Sequence, residues 1–475
     1  VKKRTAVLLV ALLVFSNILT YRVTRGLYRW RAYTPPSSSY SDDNAYRREH
    51  REELAPFFEV LDILTERYID EVSIEELVEA AIKGMVGILD SQSGYLDSRH
   101  WQMMMDQTKG SFSGIGIEIS AIDGYITVIA PIRGTPGEQA GLLPEDRIVE
   151  VDSKDIRGIS TVEAVMLIRG PEGSKVTLKV LRGEDNSEHV FTITRGNITM
   201  SSVFHSMVED RVGYIEITNF DDHTGEDFSI ALMELENDGM AGLILDLRGN
   251  TGGLLSEAVK VGQALLPPGP ITFMVDRNGK KLDTYVSYGP AKPYPIVVLV
   301  NSVSASASEI IAGALQDTGA GILVGTRTYG KATVQNLEKL TGNTGLRYTM
   351  AKYQTPGGRD IDGVGLEPDV AVELSDRYVY LHPLTTDLKI GDESGSVTFL
   401  QRALNTAGYR VAESGVFDKE TESAVRAFQS AYGLAQSGMV RYETRKKLQE
   451  VAEAELEKLD NQKLTAIEIL LEKIS

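Results

Sequence analysis

Three short apolar runs constrain this chain most: "GLILDLRGN" (242–250), "PIVVLVN" (295–301) and "GILVG" (321–325). A strand with one face in water alternates apolar and polar residues. A strand that is apolar almost throughout must be covered on both faces, as in a parallel sheet packed between helices. Helix-period segments such as "GGLLSEAVKVGQALL" (252–266) separate the runs. From about Ile198 onward this alternation of β and α predicts an α/β core.

The remainder reads differently. At 475 residues the chain is too long for one core and implies roughly three domains. Residues 45–109 repeat apolar positions at three and four ("LAPFFEVLDILTERYI", "SIEELVEAAIKGMVGIL"), which predicts helices. From Gly110 to about Arg195 come short β runs ("GIGIEIS", "YITVIAP", "KVTLKVLR") and one helical piece, "STVEAVMLI". The expected class is a multidomain α/β (α+β) protein. Its expected parts are a membrane signal anchor and flank (1–31), a linker and N-terminal helical segment (32–109), and a β-rich domain (110–196). A core domain (197–383), a small helical domain (384–451) and a C-terminal helix (452–475) complete the division.

Lys2, Lys3 and Arg4 precede the apolar stretch "TAVLLVALLVFSNILTY" (5–21), the layout of a signal peptide or signal anchor. No small-x-small cleavage site follows, so an uncleaved single-pass anchor is expected, with a buried core helix as the alternative. Arg22, Arg25, Arg29 and Arg31 outnumber the basic residues before it, which leaves the orientation open by the positive-inside rule. A net charge of −18 argues against nucleic acid, whose binding rests on Lys and Arg neutralising phosphates. The absence of cysteine excludes disulfides and thiolate chemistry. The six histidines are scattered without metal-ligand spacing, and no cofactor is implied.

In "SFSGIGIEIS", Gly114 and Gly116 alternate with Ile115 and Ile117 at the start of a strand. Glycine there can free backbone N–H groups to capture a carboxylate, although turns and bulges use the same residues. The opposite wall of such a groove would be the helix 161–168. The stretch "GTPGEQAGLLPEDRIVEVDSKDI" (134–156) resembles the PDZ family. Arg169 follows the groove helix; it could read a carboxylate, contact another domain, or be a solvated surface residue.

"NSVSASASEIIAGAL" (301–315) sets Ser302, Ser304, Ser306 and Ser308 at alternate positions, between a buried strand and a helix. Ser306 and Glu309 fit the S-x-x-E capping box, so Ser306 could simply cap that helix. A nucleophile on a strand-to-helix turn occupies the same place, because the helix N-terminus offers N–H donors to a developing oxyanion. A serine nucleophile needs a base, and a neutral lysine amine can serve. With an ordinary pKa near 10.4, only about one lysine in 2,500 is neutral at pH 7, so burial must lower it. Lys331 in "GTRTYGKATVQ" (325–335) is the candidate; an exposed strand lysine is the alternative.

The stretch 301–335, with "GLILDLRGNTGGLL" (242–255), "TPGGRDIDGVGLEPDV" (355–370) and "ERYIDEVSIEELVEAAIKGMVGILDSQSGYL" (66–96), resembles the C-terminal processing peptidases, or tail-specific proteases. The resemblance spans roughly residues 46–374. It implies a serine endopeptidase with Ser306 as nucleophile, Lys331 as general base and Gln335 as the residue orienting it. It further implies an oxyanion hole from the Ala307 amide with Gly252 or Gly253, and a supporting place for Asp317. Thr251, Ala332 and Val303 depart from the family pattern at backbone-tuning positions. Residues 388–448 resemble a small three-helix peptidoglycan-binding domain, with Arg441 where an aspartate is usual; a packing or dimerisation bundle is the alternative. The expected protein is membrane-anchored on the extracytoplasmic side. It would recognise free C-terminal tails through its PDZ groove, bind peptidoglycan and form a homodimer. The rival is a non-catalytic wall-associated scaffold.

Overall fold

The computed structural model describes residues 50–122, 124–183, 185–209, 211–375, 381, 384 and 387–475. The expected anchor, 1–31, lies outside the described residues. No helix among them is long and apolar enough to cross a membrane. The described residues divide into two compact units, separated between Met85 and Val86.

In the first unit, α1 (Arg51–Arg67) buries none of its residues and exposes Leu54, Phe57, Phe58, Val60 and Ile63. The helix α2 (Ile74–Val86) follows, opened by Ser73, whose hydroxyl accepts from Glu76 N–H while Ser73 N–H donates to the Glu76 carboxylate.

The second unit opens with β1 (Gly94–Leu96) and α3 (Ser98–Lys109), whose Asp97 cap accepts from His100 N–H. The domain expected to be PDZ-like then runs β2 (Ser111–Gly114), β3 (Ile117–Ile122), β4 (Tyr125–Pro131), α4 (Pro136–Gln139), β5 (Arg147–Val151), β6 (Lys154–Asp155), α5 (Thr161–Ile168), β7 (Lys175–Arg182), β8 (Ser187–Thr194) and β9 (Gly196–Thr199). Strict alternation in β7 sends Val176, Leu178 and Val180 inward and its polar residues outward. The sheet order β3-β4-β5-β7-β8 leaves β3 as an edge, with α5 beside it. β2 and β9 pair from Ser111–Thr199 to Gly114–Gly196, so the two chain crossings into this domain are zipped together.

The core continues with β10 (Val203–Glu209), β11 (Val212–Ile217), α6 (Thr224–Asn237), β12 (Gly242–Asp246), α7 (Leu255–Leu265), β13 (Gly269–Val275), β14 (Lys281–Ser287), β15 (Ile296–Val300), α8 (Ala307–Asp317), β16 (Ile322–Gly325), β17 (Thr333–Lys339), β18 (Gly345–Gln354) and β19 (Val370–Ala371). The main sheet has the order β10-β11-β12-β15-β16-β19, parallel from β11 onward. Every residue of β12 and β15 is buried, as their apolar runs require. One face packs against α6, α7 and α8 through Phe228, Leu232, Val261 and Ile311. A second sheet, β1-β18-β13-β14 with β17 on β18, stands beside it.

The helical module comprises α9 (Gly395–Thr406), α10 (Lys419–Ala431) and α11 (Tyr442–Glu457) around Leu400, Leu404, Phe417, Val425, Phe428 and Leu448. The amphipathic tail expected as one helix is divided. α11 runs through to Glu457, and α12 (Asn461–Ile474) starts afresh because Asp460 accepts from Lys463 N–H and caps it. α12 leaves the module and covers the other face of the main sheet, with Ala466 and Leu470 on Val212, Ile244, Val297 and Leu299. At its start Gln462 Nε2 donates to Val372 O (2.7 Å) and Asn461 Nδ2 to Glu373 O (2.6 Å), while Ser375 N–H donates to Asn461 Oδ1 (3.0 Å). The module is therefore an insertion between β19 and α12.

Arg248, just after β12, forks onto both carboxylate oxygens of Asp246 and both of Asp460, and all three side chains are largely buried. Asp460→Ala deletes a helix cap and half of a buried ion-pair fork together. It should lower unfolding stability by about 2–4 kcal/mol in urea denaturation followed by circular dichroism.

Candidate active site

In parallel α/β sheets, sites form beyond the carboxyl ends of the strands. Here three loops meet there, following β12 (247–254), β15 (301–306) and β16 (326–332). The four alternating serines separate cleanly. Ser304, fully buried, donates its hydroxyl to Leu247 O (2.8 Å) and accepts from Asn301 N–H (2.9 Å). Ser308, also fully buried, donates to Asn250 O (3.0 Å). These two stitch the serine loop to the glycine loop, and Ser302 is exposed. Ser306 is partly buried.

Ser306 stands at the N-cap of α8 with φ +55° and ψ −114°. An L-residue there is strained, and such strain persists only where the surroundings over-determine it. Ser306 and Glu309 take the capping-box arrangement. The bond it supplies runs from Ser306 N–H to Glu309 Oε2 (3.0 Å), and the serine side chain makes no cap hydrogen bond.

Glu309 is fully buried and serves two loops at once. Besides Ser306 N–H, its Oε2 accepts from Lys331 N–H (2.8 Å). Its Oε1 accepts from Gly330 N–H (2.8 Å) and the Thr328 hydroxyl (2.5 Å). From β18, Tyr353 makes a second tie: its hydroxyl reaches Lys331 O (2.8 Å) and Ser306 O (3.1 Å). Two buried side chains thus hold the backbones of Ser306 and Lys331 together, although no hydrogen bond joins the Ser306 hydroxyl to the Lys331 amine among the described residues. Burial lowers the Lys331 pKa below the ordinary lysine value, the Arg347 charge lowers it further, and Glu309 opposes both.

Gly252 presses against the serine: a Cβ on it would lie 2.7 Å from Ser306 Cβ. Its N–H is taken, donating to Asn250 Oδ1 (2.8 Å). The N–H groups of Gly253 and Ala307 are engaged by no hydrogen bond among the described residues. Gly253, at φ +150°, sits where a Cβ would meet Phe220 O at 2.1 Å, so only glycine fits. Gln335 turns its amide nitrogen to Thr333 Oγ1 (2.9 Å) and Thr349 Oγ1 (3.3 Å), not to Lys331. Asp317 accepts from Gly357 N–H (2.7 Å) and pairs with Arg359 (2.6 Å), tying α8 to the 355–360 loop at the end remote from Ser306.

In the PDZ domain, Gly114 closes β2, Ile115 is buried, Gly116 bends at φ +71° and Ile117 opens the edge strand β3. A Cβ on Gly116 would strike Thr135 at 2.3 Å. Arg169 packs over the Phe112 ring (3.9 Å) and pairs with Asp106 on α3 (3.4 Å), a contact to the neighbouring segment. The sequence reading saw Glu309 only as a capping partner and missed Tyr353 and Thr328. Nothing in the sequence marks Tyr353 apart from other strand tyrosines.

A model of peptidase family S41 matches residues 211–372, a PDZ domain model 127–182, a peptidoglycan binding domain model 393–448, and the N-terminal domain model of the activating protease CtpB 13–99. The carboxy-terminal processing protease CtpA of Bacillus subtilis is 35% identical over 408 residues, covering 85% of this chain and 87% of its own. CtpB of the same organism is 34% identical over 419 residues, covering 86% and 87%. Among solved structures, the photosystem II D1 C-terminal processing protease is similar at 30% identity with a TM-score of 0.41, over 69% of this chain and 90% of that one. The chain belongs to the carboxy-terminal processing proteases, serine peptidases of family S41.

Proposed function

We propose that this protease works with a Ser306/Lys331 dyad through an acyl-enzyme, on proteins whose free C-terminal tails its PDZ domain recognises. The observation that carries the reading is the double tie of Glu309 and Tyr353 between the two backbones, beside the unengaged amides of Gly253 and Ala307.

Neutral Lys331 takes the Ser306 proton as Oγ attacks the scissile carbonyl carbon. The resulting oxyanion receives hydrogen bonds from Gly253 and Ala307 N–H. Lys331 then gives the proton to the leaving amine as the C–N bond breaks, which leaves Ser306 esterified. Water attacks the ester, Lys331 takes and returns its proton, and the new carboxyl terminus departs. Gln335 is the residue assigned to orienting the base. A tail adds as a strand along the β3 edge, its carboxylate at Gly114–Ile117.

The wider setting belongs to the same proposal: an uncleaved anchor in 1–31, the body on the extracytoplasmic side, and the domain division 32–109, 110–196, 197–383 and a helical module from 384 to the end of α11 at Glu457, with α12 returning to the core. The peptidoglycan binding domain match fits cell-wall attachment. The uncovered apolar residues of α1 fit a homodimer contact.

Peptides with free and amidated C-termini test the chemistry and the tail recognition together. Ser306→Ala and Lys331→Ala should each lower kcat/KM on the order of a thousandfold or more, with the fold retained by circular dichroism. The amidated peptide should be the poorer substrate; cleavage that survives Ser306→Ala would remove the nucleophile assignment. A pH series tests the base. Activity requires neutral Lys331, so kcat/KM rises with pH through its pKa. Arg347→Gln removes a charge that holds this pKa down, so the acid limb should move to higher pH and activity at neutral pH should fall several-fold.

A further inference from the structure

The helical module repeats itself internally. Gln401 Nε2 donates to Ser414 Oγ (3.2 Å), Val416 O (3.0 Å) and Thr421 Oγ1 (3.1 Å), and its Oε1 accepts from Gly415 N–H (3.0 Å). Twenty-eight residues on, Gln429 makes the same four bonds, to Ser437 Oγ (3.3 Å), Met439 O (2.8 Å), Thr444 Oγ1 (3.0 Å) and from Gly438 N–H (3.0 Å). Each buried glutamine thus braces the turn that starts the next helix. In the first copy that turn ends at Asp418, which caps α10 by accepting from Thr421 N–H (2.8 Å).

In the second copy the equivalent residue is Arg441. A guanidinium has no acceptor atom, and its charge opposes the positive end of the helix dipole. Arg441 makes no side-chain cap bond to α11. The carboxylate that this position lacks arrives from another domain. Glu145 Oε1, in the PDZ loop between α4 and β5, accepts from Tyr442 N–H (3.1 Å), the first residue of α11. The same oxygen takes Arg445 Nη2 (3.4 Å), one turn into the helix. Arg445 is 5% exposed and also pairs with Asp387.

Glu145 is built for this contact. Its backbone is held at φ +72°, outside the usual range of a side-chain-bearing residue. Both neighbours fix it: Glu145 N–H donates to Val128 O (2.8 Å), and Asp146 O accepts from Val128 N–H (2.9 Å). Asp146 is itself fully buried and forked onto Arg182 at 2.7 Å through both oxygens.

We propose that Glu145 caps α11 in place of the residue its own repeat has lost, docking the PDZ domain onto the peptidoglycan-binding module of the same chain. The PDZ domain is then held at two places, by the β2–β9 zipper at its root and by the module at the Glu145 loop. The module thereby sets the orientation of the PDZ domain against the protease core. This holds whichever residues carry out the cleavage.

The absence of native cysteine allows a clean distance measurement. Dyes on Lys154→Cys in the PDZ domain and Lys419→Cys in the module, both exposed positions, report their separation by single-molecule energy transfer in the full chain. The unmodified interface should give one narrow distribution. Glu145→Ala should broaden it, and the first turn of α11 should exchange its amide hydrogens about three- to tenfold faster. Adding Arg441→Asp restores a cap from within the module. In Glu145→Ala/Arg441→Asp the exchange should return to its original rate while the distribution stays broad. A distribution unchanged by Glu145→Ala overturns the docking. One that narrows again in the double variant also overturns it, because the first effect would then be loss of module structure.

Discussion

A single buried carboxylate organises the catalytic end of this fold. Glu309 accepts four hydrogen bonds, two on each oxygen, from Ser306, Thr328, Gly330 and Lys331. A fully buried acid without partners would be costly, whereas one that meets four donors is a strong local organiser. Three of the four are backbone amides, so the carboxylate fixes the course of two loops without hydrogen-bonding the Ser306 or Lys331 side chain. The strained Ser306 dihedrals are held between the helix start, the Glu309 bond and the close approach of Gly252. Tyr353 repeats the tie on the carbonyl side of the same residues, from the second sheet.

Both accessory domains are spliced into the core and closed at their roots. The β2–β9 ladder closes the PDZ domain, and the bonds of Asn461 and Gln462 to Val372, Glu373 and Ser375 close the wall module. Closed roots let a small domain fold around its own centre while its attachment stays fixed. Arg248 extends the second closure toward the site, because it lies in the loop that carries Gly252 and Gly253 and pairs with Asp460.

The main sheet and the helices on it were legible in the sequence because burial on both faces leaves an unambiguous apolar run. The PDZ strands were legible from alternation, and the family from motif resemblance. Contacts between distant segments were not. The S-x-x-E pattern gave Glu309 its local role and hid its larger one, since Thr328, Gly330 and Lys331 reach it only once β16 lies beside β15. Which of the two adjacent glycines keeps an unengaged amide depends on the Asn250 side chain, which takes the Gly252 N–H. The single C-terminal helix expected from composition was divided by a cap, because α12 takes its apolar partners from the sheet and not from the module. Arg441 stood out as a departure from pattern, but its compensation lay some 300 residues upstream.

The path of α12 also imposes an order of events. Val212, Ile244, Val297 and Leu299 on the outer face of the main sheet are covered by a helix that lies beyond the wall module in the chain. A chain emerging from the ribosome completes its domains from the N-terminal end. Until the module has been synthesised and α12 follows it, that face of the sheet stays open and Arg248 lacks Asp460. Of the described elements, the last to be made on the main sheet is therefore also the one that covers its outer face, and it follows the helical module in the chain.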